Sequence, residues 1–180
     1  DEQFGALQML DKDEFSILAG SAGCVDRDTE FFNGNEWKKI CDYKQGDEVL
    51  QYNDDGTAEL VKPNCYIKLL CDKMYHITND EIDQMLSADH TMWFFNPYDK
   101  AVSKISNYHN YQDITGRYIE MKTSEFVKEI QNGEFSFDNK MIILENETIT
   151  LVSMKGINIV EKPTVDGFKD GFNVPSQKII

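Results

Sequence analysis

From Thr29 onward the chain runs in short apolar stretches separated by turn residues, and helical period is rare. Thr29, Phe31 and Phe32 suit a strand, and Asn33-Gly34 after them is a strong hairpin signal, with Trp37 and Ile40 on its far side. Gly46-Asp47 predicts a turn into a strand over Glu48–Tyr52. Asp54-Asp55-Gly56-Thr57 predicts a second hairpin into Ala58–Val61, and Tyr66–Lys68 continues the meander. Further strands are expected at Met74–Thr78, Gln84–Leu86, Met92–Phe95, Gly116–Met121, Met141–Leu144, Thr148–Val152 and Ile157–Val160. Ser103–Tyr111 is polar and reads as a loop. Ser124–Ile130 reads as a short helix, with Thr123 or Ser124 to cap its start and Gly133 its end. Asp166-Gly167 turns into an apolar run from Phe168 to Ile180. Many short strands at regular spacing predict a mostly β fold around a small core, with one short helix.

Residues 1–23 have a different texture. Gln3, Ala6, Leu7, Met9 and Leu10 fall at helical spacing, Phe15–Ala19 reads as a short buried strand, and Gly20-Ser21-Ala22-Gly23 makes a small-residue turn. Helix, strand and Gly-rich turn in that order open a phosphate-binding P-loop, but the Gly-Lys-Ser/Thr that completes one does not follow. Cys24 stands there instead.

Length and composition narrow the classes. A chain of 180 residues with 41% apolar content can bury a proper core. A net charge of −14 and no basic run disfavour a nucleic-acid partner. No apolar stretch approaches the roughly 18 residues of a membrane span, and no signal peptide is evident. Cys24, Cys41, Cys65 and Cys71 match no zinc or redox spacing, so free thiols in a cytoplasmic setting are expected. No metal or cofactor is implied.

Two short stretches carry candidate chemistry. One is Gly23-Cys24, where a thiol follows a residue whose carbonyl is unhindered. The other is Ser87-Ala88-Asp89-His90. A histidine suits general-acid work on a leaving amide nitrogen, and a serine hydroxyl can hold the amide or a developing oxyanion. By itself Cys24 would read as a small buried hydrophobe, and His90 as a structural histidine. His76 and His109 read as structural or surface residues. Asp28 is a candidate supporting acid, with a turn-capping role as its alternative.

These stretches, taken in order with Asp28-Thr29, Phe31–Ile40, Gly46–Tyr52, Asp166–Lys169 and Phe172–Ser176, resemble the splicing domains called inteins, most closely the short phage-type ones. The resemblance runs from residue 24 to the end of the chain. It implies the horseshoe-shaped all-β Hint fold shared with hedgehog autoprocessing domains. It also implies an N-to-S acyl shift at Gly23–Cys24, with Cys24 as nucleophile, His90 as general acid and Ser87 in support. Such a domain acts once, on its own chain. Residues 1–23 then read as the upstream host flank, resembling the start of a superfamily-1 helicase P-loop, and 24–180 as the splicing domain.

The sequence departs from the intein pattern at three places. Ser87 replaces the usual threonine and keeps the hydroxyl. Gly171 stands where an Asp or Cys is usual, with Asp170 beside it as the candidate substitute. The terminal Asn and the nucleophile after it are not in the sequence, so full splicing is expected to need them from elsewhere. The partner expected in that case is a complementary C-terminal fragment of a split intein, besides the covalently attached host segments. No nuclease motif lies between His90 and Asp166. Two rivals stay open: a cysteine hydrolase built on Cys24 and His90, and a catalytically silent fragment that binds a complementary peptide.

Overall fold

The computed structural model describes residues 24–53, 55–100, 103–109, 112–145 and 148–175. The helix, strand and Gly-rich turn expected within 1–23, Gly23 included, and the end of the chain from 176 onward lie outside the described residues. In chain order the strands are β1 (Glu30–Phe32), β2 (Trp37–Lys39), β3 (Val49–Tyr52), β4 (Ala58–Val61), β5 (Cys65–Leu70), β6 (Lys73–Thr78) and β7 (Asp83–Leu86). They continue with β8 (Thr91–Asn96), β9 (Ser103–Tyr108) and β10 (Gln112–Lys122). The helix α1 (Thr123–Gln131) comes next. After it lie β11 (Lys140–Glu145), β12 (Thr148–Val152), β13 (Asn158–Pro163) and β14 (Phe168–Asn173). A short 3-10 turn, Ile40–Asp42, follows β2.

The hairpin signals act as their chemistry dictates. At Asn33-Gly34 the Asn33 side chain accepts the backbone N–H groups of Asn35 and Glu36, both at 2.9 Å, and Gly34 takes φ 99°. That turn joins β1 to β2 antiparallel. Gly56, at φ 84°, turns β3 into β4 and lets the turn dock on β9, where Ser106 N–H donates to the Gly56 carbonyl at 3.1 Å. A Cβ at Gly56 would sit 2.5 Å from the Lys104 carbonyl oxygen, so no larger residue fits.

β8 shows why Met92–Phe95 is apolar at every position instead of alternating. Its two faces serve two cores. Met92 and Phe94 pack with Ile77, Leu86 and Phe126, while Trp93 and Phe95 pack with Leu50, Tyr52 and Ile105. β11 is built alike, with Met141 in the first core and Ile142 and Leu144 in the second. The strands order as β10-β8-β11-β12-β9, and the outer members β10 and β9 also pair with each other. Beside this assembly lie the sheet β13-β6-β7 and the pair β14-β5. A third core, with Phe31, Ile40, Tyr66, Phe172 and Val174, joins β1 to β14 and β5.

Two expectations are corrected. Residues 103–108 form strand β9 instead of a loop. The segment is polar because only one face packs: Ile105 is fully buried, and backbone pairing to β10 supplies the rest. The start of α1 has no side-chain cap from Thr123 or Ser124. Its free N–H donors are used instead on the Ser87–His90 turn, as described below. Gly133 does end the helix, at φ 68° with its N–H on the Ile130 carbonyl. No described helix is long and apolar enough to cross a membrane.

Candidate functional site

Cys24 is the first described residue, and it enters the fold between two strands. Val25 bridges Leu86, at the end of β7, and Asp170, in the middle of β14. The Val25 bridge to Asp170 is reciprocal, N–H to carbonyl at 2.8 Å in both directions. Cys24 therefore lies in a one-residue extension of pairing on both sides. Its thiol is buried against Ile67 of β5, with Cys65 and Leu69 nearby.

The Ser87–His90 turn meets Cys24 directly. Ser87 N–H donates to the Cys24 carbonyl at 3.0 Å, and the Cys24 N–H donates to Ser87 Oγ at 3.3 Å. That nitrogen belongs to the Gly23–Cys24 peptide bond. The Ser87 hydroxyl donates to Asp89 Oδ1 at 2.6 Å, and Lys169 Nζ donates to both Asp89 oxygens at 2.9 and 3.0 Å. The turn closes with His90 N–H on the Ser87 carbonyl.

Helix α1 holds this turn from behind. Thr123 N–H donates to the His90 carbonyl at 2.8 Å and Ser124 N–H to the Ala88 carbonyl at 3.0 Å. The Thr123 hydroxyl adds a third bond, to the His90 carbonyl at 3.1 Å. The first N–H groups of a helix have no partner within it. Here they fix the main chain of the motif, while Phe94, Phe126 and Phe135 seat the helix in the core.

The electrostatics follow from burial and these contacts. Burial pushes the Cys24 thiol up to about 12, although the nearby Lys169 ammonium pulls against it. Burial pushes His90 down to about 4, with Asp89 opposing and Lys122 assisting, so the imidazole is neutral at pH 7. Its Nδ1 is buried without a hydrogen-bond partner. Burial raises the Asp170 carboxyl to about 6, with Arg27 opposing. One Asp170 oxygen accepts the Tyr66 hydroxyl, and the other is buried without a partner. Asp89 is held below the ordinary carboxylate range. Burial would raise it, but the hydrogen bonds from Ser87 and Lys169 outweigh that.

The structure thus brings Cys24, Ser87 and Asp170 together, and His90 faces a cavity of about 590 Å³ that Val25 and Asp170 also line. Asp28 borders the same cavity, but its carboxylate pairs with Lys39 at 3.4 Å and is about half exposed. The turn-capping role belongs to Asp26, which accepts the Thr29 hydroxyl at 2.5 Å and the Thr29 N–H through its carbonyl. Gly171 pairs with Ile67 in the β14-β5 ladder. His76, on the cavity wall, pairs with Asp83 at 2.6 Å. Asp89, Lys169, Tyr66 and Thr123 escaped sequence reasoning as parts of the site. Asp89 and Lys169 lie inside the quoted motifs, but their pairing spans 80 residues and leaves no local signal. Among the described residues, no group of three or more His, Cys, Asp or Glu could hold a metal ion.

The site is thus an amide N–H held by a serine hydroxyl, next to a buried thiol and a buried carboxyl, with the His90 imidazole on the adjoining cavity. No protein-family model and no curated protein matches the sequence. Solved structures do match. One is an AceL NrdHF class 3 split intein, a GSH-linked, splice-inactive variant, at TM-score 0.62 and 20% identity, over 86% of this chain and 87% of that one. Another is the PabCDC21-1 intein, at TM-score 0.54 and 17% identity, covering 86% and 91%. A third is the transcription factor IIB Mvu mini-intein, at TM-score 0.53 and 12% identity, covering 86% and 92%. The chain folds as an intein-type Hint domain, mostly β with one helix among the described residues.

Proposed function

We propose that residues 24–180 are a self-processing protein-splicing domain and that its first step is an N-to-S acyl shift at Gly23–Cys24. The observation that carries this reading is the Cys24 N–H on Ser87 Oγ at 3.3 Å, which puts the motif hydroxyl on the nitrogen of the bond to be broken. In the proposed step the Cys24 thiol loses its proton and Sγ bonds to the Gly23 carbonyl carbon. The carbon–nitrogen bond then breaks, giving a thioester and a free Cys24 amine. One proton leaves sulfur and one arrives at nitrogen, so the step needs no co-reactant.

A thiol raised to about 12 does not ionise unaided near neutrality. The buried Asp170 carboxylate, one oxygen unpartnered, is the proposed acceptor of its proton. His90 is the proposed donor to nitrogen, and the neutral imidazole can both take and return a proton through Nδ1. Ser87 orients the amide. Asp28 is proposed for none of these transfers, given its pairing with Lys39. Residues 1–23 are proposed to be a host segment of the helicase P-loop type, displaced onto sulfur and then released.

A second reading has support from one comparison. The AceL neighbour is named as a split intein, so the partner on this reading is a complementary C-terminal fragment that adds to this chain. On that reading the domain is silent until the fragment binds.

Intact mass after incubation with a small thiol at neutral pH tests the acyl shift, with Cys24→Ala alongside. Loss of residues 1–23 from the unsubstituted chain only is the expected result. Equal loss from both would remove Cys24 as nucleophile, and no loss from either would favour the silent-fragment reading.

A further inference from the structure

Resting on the acyl-shift reading, we propose that Lys169 is a positioning residue for that step. Through Asp89 it fixes the direction of the Ser87 hydroxyl on the Cys24 amide, and its ammonium supplies positive charge beside the Cys24 thiol.

The chain of bonds has one direction. Lys169 donates to both oxygens of Asp89, and Asp89 Oδ1 also accepts the Ser87 hydroxyl. A carboxylate can only accept. Ser87 must therefore point its proton at Asp89, which leaves its oxygen lone pairs for the Cys24 N–H. With its own proton on Asp89, the Ser87 hydroxyl is not the donor to the amide nitrogen, so that proton comes from another group. Loss of Asp89 as acceptor would free the Ser87 hydroxyl to rotate and loosen its aim at the amide.

Lys169 is what anchors Asp89 where it can accept from Ser87. The lysine side chain is only 13% exposed, whereas the surface partners Lys73 and Lys104 are more than half exposed. A buried ammonium costs desolvation and stays charged only when well paired. Its pairing with Asp89 does hold it above the ordinary lysine range. Without it, Asp89 would lose the partner that fixes both of its oxygens, and its hold on the Ser87 hydroxyl would loosen. The neighbouring β14 residue, Asp170, is locked to Val25 on the main chain, so Lys169 is set on the same rigid strand that holds the junction. The ammonium is also close enough to the Cys24 thiol to draw its pKa down against burial.

The test uses the full chain with Lys169→Met, Lys169→Arg and Asp89→Asn. One readout is thiol-induced loss of residues 1–23 by intact mass. The other is alkylation of Cys24 by iodoacetamide from about pH 6 to about pH 9, read peptide by peptide with Cys41 as an internal control. Lys169→Met is expected to slow cleavage about 10-fold or more and to lower Cys24 alkylation by a similar factor, moving its pH profile upward. Lys169→Arg should restore most of both, and Asp89→Asn should slow cleavage. Cleavage and a Cys24 profile unchanged in Lys169→Met would overturn the proposal. So would an arginine variant as impaired as the methionine one, because that pattern marks a packing role only. If the unsubstituted chain does not cleave at all, the acyl-shift reading fails and this role for Lys169 fails with it, whereas cleavage of the unsubstituted chain with no effect of Lys169→Met overturns the Lys169 role alone.

Discussion

Ser87 carries two jobs in one small side chain. Its N–H holds the Cys24 carbonyl and its hydroxyl holds the Cys24 N–H, so it grips both main-chain groups of Cys24. Ser87→Ala keeps the first contact and removes the second, together with the hydroxyl's bond to Asp89. It leaves a buried N–H without a partner, which costs about 1–2 kcal/mol of stability. Cleavage at Gly23–Cys24 should fall by about 100-fold, and Ser87→Thr should stay within about 10-fold of the unsubstituted rate because the hydroxyl is kept. Intact mass and urea unfolding of the three proteins check both figures. A Ser87→Ala protein that cleaves at full rate would leave the hydroxyl with a structural role alone. At this scale the sequence was readable where two short motifs name candidate residues, and the fold does bring Cys24 onto Ser87. It was unreadable where a role depends on a distant partner. Asp28 looked apt from its place near Cys24, yet it faces Lys39. Lys169 looked like a strand residue, and only the fold brings it to Asp89.

Among the elements, α1 and the β8–β10 pair do the positioning. The Thr123 hydroxyl is fully buried and bonds the His90 carbonyl. Thr123→Val keeps the shape and the backbone bond and loses this contact, so a loss of about 1 kcal/mol is expected in urea unfolding. Cleavage should slow with it as the turn loosens. Gly116 is a stricter constraint. A Cβ there would lie 2.2 Å from the Asn96 carbonyl oxygen, a backbone atom that cannot step aside. Gly116→Ala should therefore destabilise the domain by about 2 kcal/mol or more through the β8–β10 pairing. A variant of native stability would mean that the two strands can part there freely. Strands with a one-sided or two-sided apolar pattern, such as β3 and β8, were legible in the sequence, and so were the turns at Asn33-Gly34 and Asp166-Gly167. β9 was not. One buried isoleucine among polar residues carries too little pattern, and its identity as a strand comes from backbone bonds to β10. The start of α1 misled for a related reason. Its Thr-Ser pair looks like a cap, but the donors it would satisfy are spent on the motif turn.

For the molecule as a whole, the site builds two opposing pH dependences into the fold. The Asp170 carboxyl is raised from 3.8 to about 6 by burial. Between those values the folded chain holds a proton that the unfolded chain has released, so this group stabilises the fold below about pH 4 and loses that contribution as pH rises through about 6. His90 is lowered from 6.5 to about 4. Between those values the unfolded chain holds a proton that the folded chain lacks, so this group stabilises above about pH 6.5 and loses its contribution as pH falls through about 4. The two windows overlap, and each effect is on the order of 2 kcal/mol once the half-buried state of His90 is allowed for. They cancel to first order in the unsubstituted domain. Single substitutions should expose them with opposite signs. Relative to the unsubstituted chain, Asp170→Asn should gain stability with rising pH between about 4 and about 6.5, and His90→Gln should lose it over the same range. Taking differences removes the carboxylates common to all three proteins, including Asp47, Asp55 and Asp89, which are all held low by their hydrogen bonds against whatever burial they have. Urea unfolding at about pH 4.5, 5.5 and 6.5 gives the slopes directly. Slopes of the same sign for the two variants would mean that one of the two groups does not titrate as its burial dictates. The separate roles proposed for Asp170 as proton acceptor and His90 as neutral imidazole would then lose their physical basis, since both rest on burial having reversed the ordinary order of a carboxyl and an imidazole.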